Sequence, residues 1–353
     1  MAGLTARERL ILATIAMLTA VAGIARYTDA PAVLAFAVAG VALAGLAYVV
    51  SFATEQVGER FGPSVTGLMQ STLGNLPELF VVVFALRAGE VVVAQTSIIG
   101  SLFANALLVL GLVIVVGARR ASDGIMRFQA RLPNDTATLL LLTSFIIVLV
   151  ALTLASHDPA ARHVKQVSAI AAVVLLGVYL TWVIPYVRSE QPVPGAVQES
   201  PRLPLALSIT LLALAGVGAA FVSDWFIHAL APAIDQLGIS RAFAGLVIVA
   251  IAGNAVENTV GLVLAHKGDN DLAISVVKNS VAQIAAFLFP VLVLISLLFT
   301  TSLTFALAPV YVGALFLTAI AVWQVTGDGE AAAFEGWALV ATYVMLAAIA
   351  LYE

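Results

Sequence analysis

Two short phrases in this sequence place an amide and a carboxylate three residues apart inside long apolar stretches. Residues 74–78 and residues 253–257 both read Gly-Asn-x-x-Glu. Their polar members are Asn75 and Glu78 in the first phrase and Asn254 and Glu257 in the second. Side chains three apart on a helix share a face, so each phrase can offer amide and carboxylate oxygens to one ligand. A carboxylate in apolar surroundings is costly, which makes a purely structural role a weak explanation for two of them.

Further polar side chains follow each phrase at helical spacing. Ser101 and Asn105 are four residues apart, as are Asn279 and Gln283, and Ser280 lies three residues before Gln283. Together with the glutamates they form a set of carboxylate, amide and hydroxyl oxygens, which suits a hard cation such as Ca²⁺ better than zinc or copper. For Ser101 alone, hydrogen bonding between helices is an equally good explanation.

Composition places these phrases in a membrane protein. The chain has 353 residues, of which 62% are hydrophobic and 10% charged, and its mean hydropathy is +1.08. Soluble proteins carry about 25% charged residues, so this chain belongs in a lipid bilayer. The absence of cysteine excludes disulfides, thiolate metal sites and thiol catalysis. The small net charge of −4 argues against a nucleic-acid partner.

Apolar runs of about 20 residues predict eleven membrane-spanning helices. They lie near residues 9–26, 31–54, 63–87, 91–117, 136–155, 164–187, 203–236, 240–266, 271–299, 303–326 and 336–352. With the N-terminus inside, ten Lys and Arg residues fall on inside segments and five outside, and Lys278 is left within a helix. The excess of positive charge on one side predicts a cytoplasmic N-terminus and an external C-terminus.

A constant spacing relates the two halves of the chain. The two phrases, the glycines Gly89 and Gly268, and the serines Ser101 and Ser280 are all separated by 179 residues. This indicates a duplication, and copies of five helices each would be inverted in the membrane. The predicted fold is an all-α polytopic membrane protein. An extra N-terminal helix (1–27) precedes the first repeat (28–187), a cytoplasmic linker (188–204) and the second repeat (205–353).

The chemistry of the glutamates suggests a transport mechanism. If the repeats bring Glu78 and Glu257 together, two carboxylates in a low dielectric resist being ionised at the same time. Two protons or one Ca²⁺ can neutralise them, so a carrier that changes sides only when neutralised exchanges Ca²⁺ for H⁺. The sequence contains no GxxxxGK[ST] phosphate loop, and no cofactor is expected besides the transported ions.

Longer stretches around both phrases carry a family resemblance. In the first half these are residues 52–55 (FATE), 62–68 (GPSVTGL), 74–79 (GNLPEL), 95–101 (QTSIIGS) and 108–111 (LVLG), with Asn105 before the last. In the second half they are residues 245–257 (GLVIVAIAGNAVE) and 279–285 (NSVAQIA). After its first helix, nearly the whole chain resembles the calcium/cation antiporter superfamily, and within it the Ca²⁺/H⁺ antiporter (CAX) family.

The resemblance implies ten core helices in two inverted repeats, with an extra N-terminal helix, and export of Ca²⁺ from the cytosol by the proton gradient. It implies that Glu78 and Glu257 bind Ca²⁺ and H⁺ alternately. The residues that would complete or support the site are Asn75, Asn254, Ser101, Ser280, Gln283 and Asn105. Glu55 and Asp224 match acids on the family's gating helices, although ordinary interfacial acids remain an alternative. Some family members are homo-oligomers.

Three positions depart from the family pattern. Asn258 replaces the histidine that usually follows the second glutamate, and Asn279 replaces a glycine. Lys278 either reaches the membrane interface with its long stem or acts on ion preference by neutralising a carboxylate. The first motif's Leu-Pro-Glu-Leu (76–79) is also similar to Na⁺/Ca²⁺ exchangers, so coupling to Na⁺ is an alternative.

Other functions are weaker explanations of the same residues. Exchange of Na⁺ or K⁺, or transport of Mn²⁺, would use the same fold. A passive pore needs weak, multiple sites, which paired acids in broken helices do not provide. An enzyme lacks support, since neither a nucleophile–base pair nor an HExxH motif is evident. The short loops favour a prokaryotic inner membrane.

Overall fold

Long apolar helices account for most of the protein in a computed structural model that describes residues 4–58, 60, 69, 72–188 and 202–353. The side chains of Leu132, Tyr186, Val187, Arg188 and Glu257 lie outside the description. The predicted all-α membrane fold is confirmed.

The described helices follow one another through short connections. They are α1 (Ala6–Tyr27), α2 (Ala32–Gly58), α3 (Leu76–Arg87), α4 (Val91–Arg120), α5 (Arg131–Ala155), α6 (Val164–Arg188), α7 (Leu205–Leu237), α8 (Arg241–Gly253), α9 (Ala255–Lys267), α10 (Asn270–Ser296), α11 (Pro309–Thr326) and α12 (Ala333–Leu351). Two short strands, β1 (Ile125–Arg127) and β2 (Glu330–Ala332), pair antiparallel, with Met126 opposite Ala331.

Within the described ranges, nine helices are long and apolar enough to cross a membrane. The bent pair α8 and α9 makes a tenth span if it is counted as one. The predicted span at 63–87 lies partly outside the described residues, and α3 is its described end. The number eleven therefore stays a prediction.

One predicted helix boundary was wrong for a clear physical reason. The helix predicted from residue 303 begins at Pro309, because proline lacks an N–H and fits the first turn of a helix. The backbone before it is held by side-chain hydroxyls instead. Leu303 N donates to Ser296 Oγ at 2.8 Å, and Phe305 N donates to Ser168 Oγ at 3.2 Å.

Contacts between loops sort the connections onto two faces. On the N-terminal face, Arg202 forms an ion pair with Glu8 at 2.9 Å, and β1 pairs with β2. On the opposite face, Arg241 Nε is 3.0 Å from Glu90 Oε2. These contacts join only segments that the predicted order of spans places on the same side, so they agree with that order.

The strand pair on the N-terminal face is reinforced by ionic contacts. Arg127 bridges Asp123, at 2.8 Å, and Glu330, at 3.2 Å. The hydrogen bond from the Arg127 side chain holds the pKa of Asp123 below its usual range, so this carboxylate stays charged at neutral pH. The loop is also fixed to α10, because Gln129 N donates to Asp271 Oδ1 at 2.6 Å.

Backbone irregularities recur at the spacing found in the sequence. Gly89 and Gly268, 179 residues apart, both end a helix with positive φ, at 80° and 93°. The π-helical turns of α4 (Ala104–Val109) and α10 (Ile284–Leu288) also occupy matching positions. Such turns are rare and occur frequently at functional sites. The two halves therefore share local backbone geometry as well as sequence.

Candidate cation site

Both Gly-Asn-x-x-Glu phrases coincide with a break between helical segments. Asn254 has non-helical angles (φ −104°, ψ 18°) and separates α8 from α9, while Asn75 (φ −81°, ψ 2°) precedes α3. Neither asparagine caps its helix with its side chain. Pro77, in the first turn of α3, lacks a backbone donor, which favours a helix start there.

The side-chain amide of Asn254 is directed across the helix interface. Its Nδ2 donates to Ser101 Oγ at 2.8 Å and to Ala250 O at 2.9 Å. Its Oδ1 accepts from Asn105 Nδ2 at 2.9 Å, and Asn105 Nδ2 also lies 3.3 Å from Ser280 Oγ. The structure therefore brings four predicted site residues into one buried network that joins α4, α8–α9 and α10.

The network retains an unused acceptor. Asn105 is fully buried, and its Oδ1 has no hydrogen-bond partner among the described residues. A buried polar atom left unsatisfied costs about 1–3 kcal/mol. A bound cation would satisfy this oxygen, and amide oxygens are among the ligands that Ca²⁺ takes.

Glu78 lies beside the break in the second phrase. It is only 2% exposed and occupies the first turn of α3, where the helix dipole favours negative charge. A Cβ atom built on Gly253 would lie 3.8 Å from the Cβ atom of Glu78. The two phrases, far apart in sequence, therefore meet in space.

The remaining predicted ligands are placed less completely. Asn75 and Gln283 are buried near the same helix segments. Glu257 is the third residue of α9, and its side chain lies outside the description. Its approach to Glu78 therefore stays a prediction. Among the side chains that the structure describes, no group of three or more His, Cys, Asp or Glu could hold a metal ion.

The two proposed gating acids lie away from the network. Glu55 on α2 and Asp224 on α7 are both exposed, and each follows a fully buried hydroxyl residue, Thr54 and Ser223. Glu55 is near the end of α2 on the N-terminal face. Asp224 is nineteen residues after the start of α7 on that face, about 29 Å along the helix at 1.5 Å per residue. The acids thus lie toward different faces.

Lys278 does not reach the membrane interface, contrary to one of the two sequence interpretations. It is 1% exposed, and its Nζ lies 3.3 Å from Thr326 Oγ1 on α11. No ion pair links it to a described acidic side chain. Sequence reasoning missed Thr326, because nothing in its surroundings marks a partner 48 residues away.

The fold and site define the class of protein, and sequence comparison agrees. A profile of the sodium/calcium exchanger protein family matches residues 31–185 and 207–352. This chain belongs to that family, and the resemblance to cation antiporters is confirmed.

Individual relatives are similar over most of their length. The vacuolar calcium ion transporter of Schizosaccharomyces pombe is 32% identical over 315 residues, which cover 86% of this chain and 76% of that protein. The Ca²⁺/H⁺ antiporter of Synechocystis sp. is 30% identical over 337 residues, covering 88% and 89%. These relatives are named as transporters.

Solved structures share the architecture. Native YfkE superposes with a TM-score of 0.81 at 26% identity, covering 97% of this chain and all of that one (100%). The H⁺/Ca²⁺ exchanger CAX gives a TM-score of 0.73 at 18% identity, covering 98% and 93%. The second likeness concerns the fold alone.

Proposed function

We propose that this protein is a secondary antiporter that exchanges Ca²⁺ for H⁺ by alternating access. Glu78 and Glu257 take up one Ca²⁺ or protons in competition. The observation that carries the proposal is the buried network of Ser101, Asn105 and Asn254, with its unused oxygen, beside Glu78. The names of the relatives from Synechocystis and Schizosaccharomyces pombe support Ca²⁺ as the cargo.

The residues divide the work of ion binding. Glu78 supplies charge from the first turn of α3, and Glu257 supplies the second charge from α9. The supporting oxygens come from Asn75, Asn105, Asn254, Ser101, Ser280 and Gln283. Ca²⁺ takes six to eight oxygen ligands, so two carboxylates with several amides and hydroxyls are a sufficient set. Protonating both carboxylates removes the charge that holds the ion, which releases Ca²⁺.

The two repeats would form the two access paths. We place their boundaries at residues 28–187 and 205–353, after the extra helix 1–27 and around the linker 188–204. Glu55 and Asp224 would control access from the N-terminal face and the opposite face, respectively. The larger share of Lys and Arg favours a cytoplasmic N-terminal face and an external C-terminus in a prokaryotic inner membrane. A homo-oligomer is part of the proposal.

Lys278 and Asn279 would adjust ion preference. A buried ammonium group adds a fixed positive charge to the helix that also carries Ser280. This charge would disfavour loading several monovalent cations in place of Ca²⁺, because each added cation meets its repulsion. Exchange of Na⁺ or K⁺, or transport of Mn²⁺, is the alternative reading of the same site.

The test is ⁴⁵Ca²⁺ uptake into proteoliposomes driven by an imposed pH gradient without Na⁺. The variants Glu78→Gln and Glu257→Gln keep the shape of the side chain and remove its charge. Glu330→Gln, at the exposed strand β2, is the matched control. We expect uptake by the wild type and the control, and none by the two site variants.

Ion replacement separates the alternatives in the same vesicles. A requirement for Na⁺ or K⁺ would overturn proton coupling, and preferred uptake of ⁵⁴Mn²⁺ would reassign the cargo. Normal transport by Glu78→Gln or Glu257→Gln would overturn the site.

A further inference from the structure

A cavity of about 170 Å³ lies where the ends of α1, α2 and α7 meet on the face opposite the N-terminus. Its wall is mostly small: Ala22, Ala25, Ala30, Ala32, Ala35, Ala229 and Pro232 contribute. Its polar lining comes from Arg26, Thr28, Trp225 and His228. The cation network described above uses none of these residues.

Arg26 gives the cavity its chemical character. Its Nε is buried without a hydrogen-bond partner among the described residues. The guanidinium lies 5.4 Å from the centre of the Tyr27 ring, and Tyr27 meets Trp225 edge to face at 6.4 Å. A guanidinium presents a rigid fork of donors that matches phosphate oxygens, and here one donor is already desolvated and unused.

The depth of the cavity fits a lipid headgroup. Helix α1 has 22 residues, about 33 Å at 1.5 Å per residue, close to the thickness of the hydrocarbon core. Arg26 is in its last turn and therefore lies at the membrane boundary. Tyr and Trp are enriched at this depth, and a phosphate group of each lipid lies beside them. Asp29 and Asp224 are close in sequence, but neither lines the cavity.

We infer that this cavity binds the phosphate group of a membrane phospholipid, held by Arg26 with Thr28 and His228 at its rim. The lipid then ties α1 to α7 one turn beyond Asp224. This function for the extra N-terminal helix is independent of which cation the protein transports. It is a binding site, so it is testable without any transport measurement.

The test measures thermal unfolding of the purified, delipidated protein in detergent with added phosphatidylglycerol. We expect the lipid to raise the melting temperature by a few degrees in the wild type, since a ligand that binds only the folded state stabilises it. Arg26→Gln should lose this shift, and Arg26→Lys should keep part of it. Arg162→Gln, an exposed arginine on the same face, should behave as the wild type.

Two further additions define the ligand. Diacylglycerol has the same chains without phosphate, and inorganic phosphate has the anion without chains. We expect neither to reproduce the shift. An equal shift with diacylglycerol, or an unchanged shift in Arg26→Gln, would overturn the site. A full shift with millimolar inorganic phosphate would overturn the lipid as the source of the anion.

Discussion

Lys278 illustrates how much one residue can cost a membrane protein. Its ammonium group is 1% exposed and has one described hydrogen-bond acceptor, Thr326 Oγ1 at 3.3 Å. Thr326 passes its own proton to Val322 O at 2.7 Å, so its oxygen is oriented to accept. Ionisable residues inside membranes are expensive and commonly serve function. The position therefore trades stability for an effect on the neighbouring ion site.

Replacing Lys278 separates that cost from the function. We expect Lys278→Met to melt no lower than the wild type, because it fills similar space without a buried charge. Thr326→Val should lower stability by about 1–3 kcal/mol, since the ammonium loses its acceptor. The double variant should match Lys278→Met alone. Thermal unfolding in detergent measures all three.

The matched control is Lys165→Met, at an exposed position near the start of α6, which should change little. If Thr326→Val were equally costly with and without Lys278, the contact would carry no energy. Ion replacement on Lys278→Met then asks whether selectivity for Ca²⁺ over Na⁺ falls, as the fixed-charge proposal requires.

At this scale the sequence predicted the members of the site but not all of their contacts. Spacing and repetition were enough to select Ser101, Asn105, Asn254 and Ser280, which the structure joins. The fixed helical period makes such sets readable. Thr326 was not predictable, because its contact depends on how α10 packs against α11 rather than on any local pattern.

Close helix crossings position these residues. A Cβ atom at Gly100 would lie 2.4 Å from Leu246 O and 2.5 Å from Leu246 Cα. At the same crossing, a Cβ atom at Gly245 would lie 2.0 Å from Thr96 Oγ1. Small residues allow membrane helices to approach closely. This crossing of α4 and α8 lies one residue before Ser101, so it fixes the distance over which Asn254 reaches its hydroxyl.

A methyl group at the crossing should therefore damage both packing and the site. We expect Gly100→Ala to lose about 1–3 kcal/mol of stability, the usual cost of overpacking, because the obstacle is backbone that cannot rotate away. Gly177→Ala on α6 is the control, since its added methyl group meets nothing within 4 Å. Thermal unfolding and Ca²⁺ uptake should both fall for Gly100→Ala only. Equal melting temperatures for the two variants would contradict the close crossing.

Element boundaries show where local patterns lose information. Hydropathy located the long helices because about 20 apolar residues are needed to cross the bilayer. It could not distinguish the irregular apolar residues before Pro309 from helix, since both are buried. The pairing of β1 with β2 was also beyond reach, because it joins loops about 200 residues apart and only three residues long.

For the whole molecule, the order of crossings determines what each face does. Inverted repeats place equivalent residues on opposite sides of the membrane. Glu55 and Asp224 lie toward different faces, as that arrangement requires. The duplicated phrases made this arrangement predictable. The absolute orientation depends on the distribution of Lys and Arg, which sequence gives only as a bias.

Cysteine labelling tests both the relative and the absolute arrangement. The chain has no cysteine, so single introduced thiols report alone. Ser122→Cys and Asp328→Cys place exposed thiols in the two loops that β1 and β2 join, while Ser156→Cys and Thr300→Cys place them on the opposite face. A membrane-impermeant maleimide should label the second pair in intact cells and the first pair in inverted vesicles. The reverse pattern would keep the fold and invert the proposed orientation. Labelling of Ser122→Cys and Asp328→Cys from different sides would contradict the strand pairing itself, because two strands cannot pair across a bilayer.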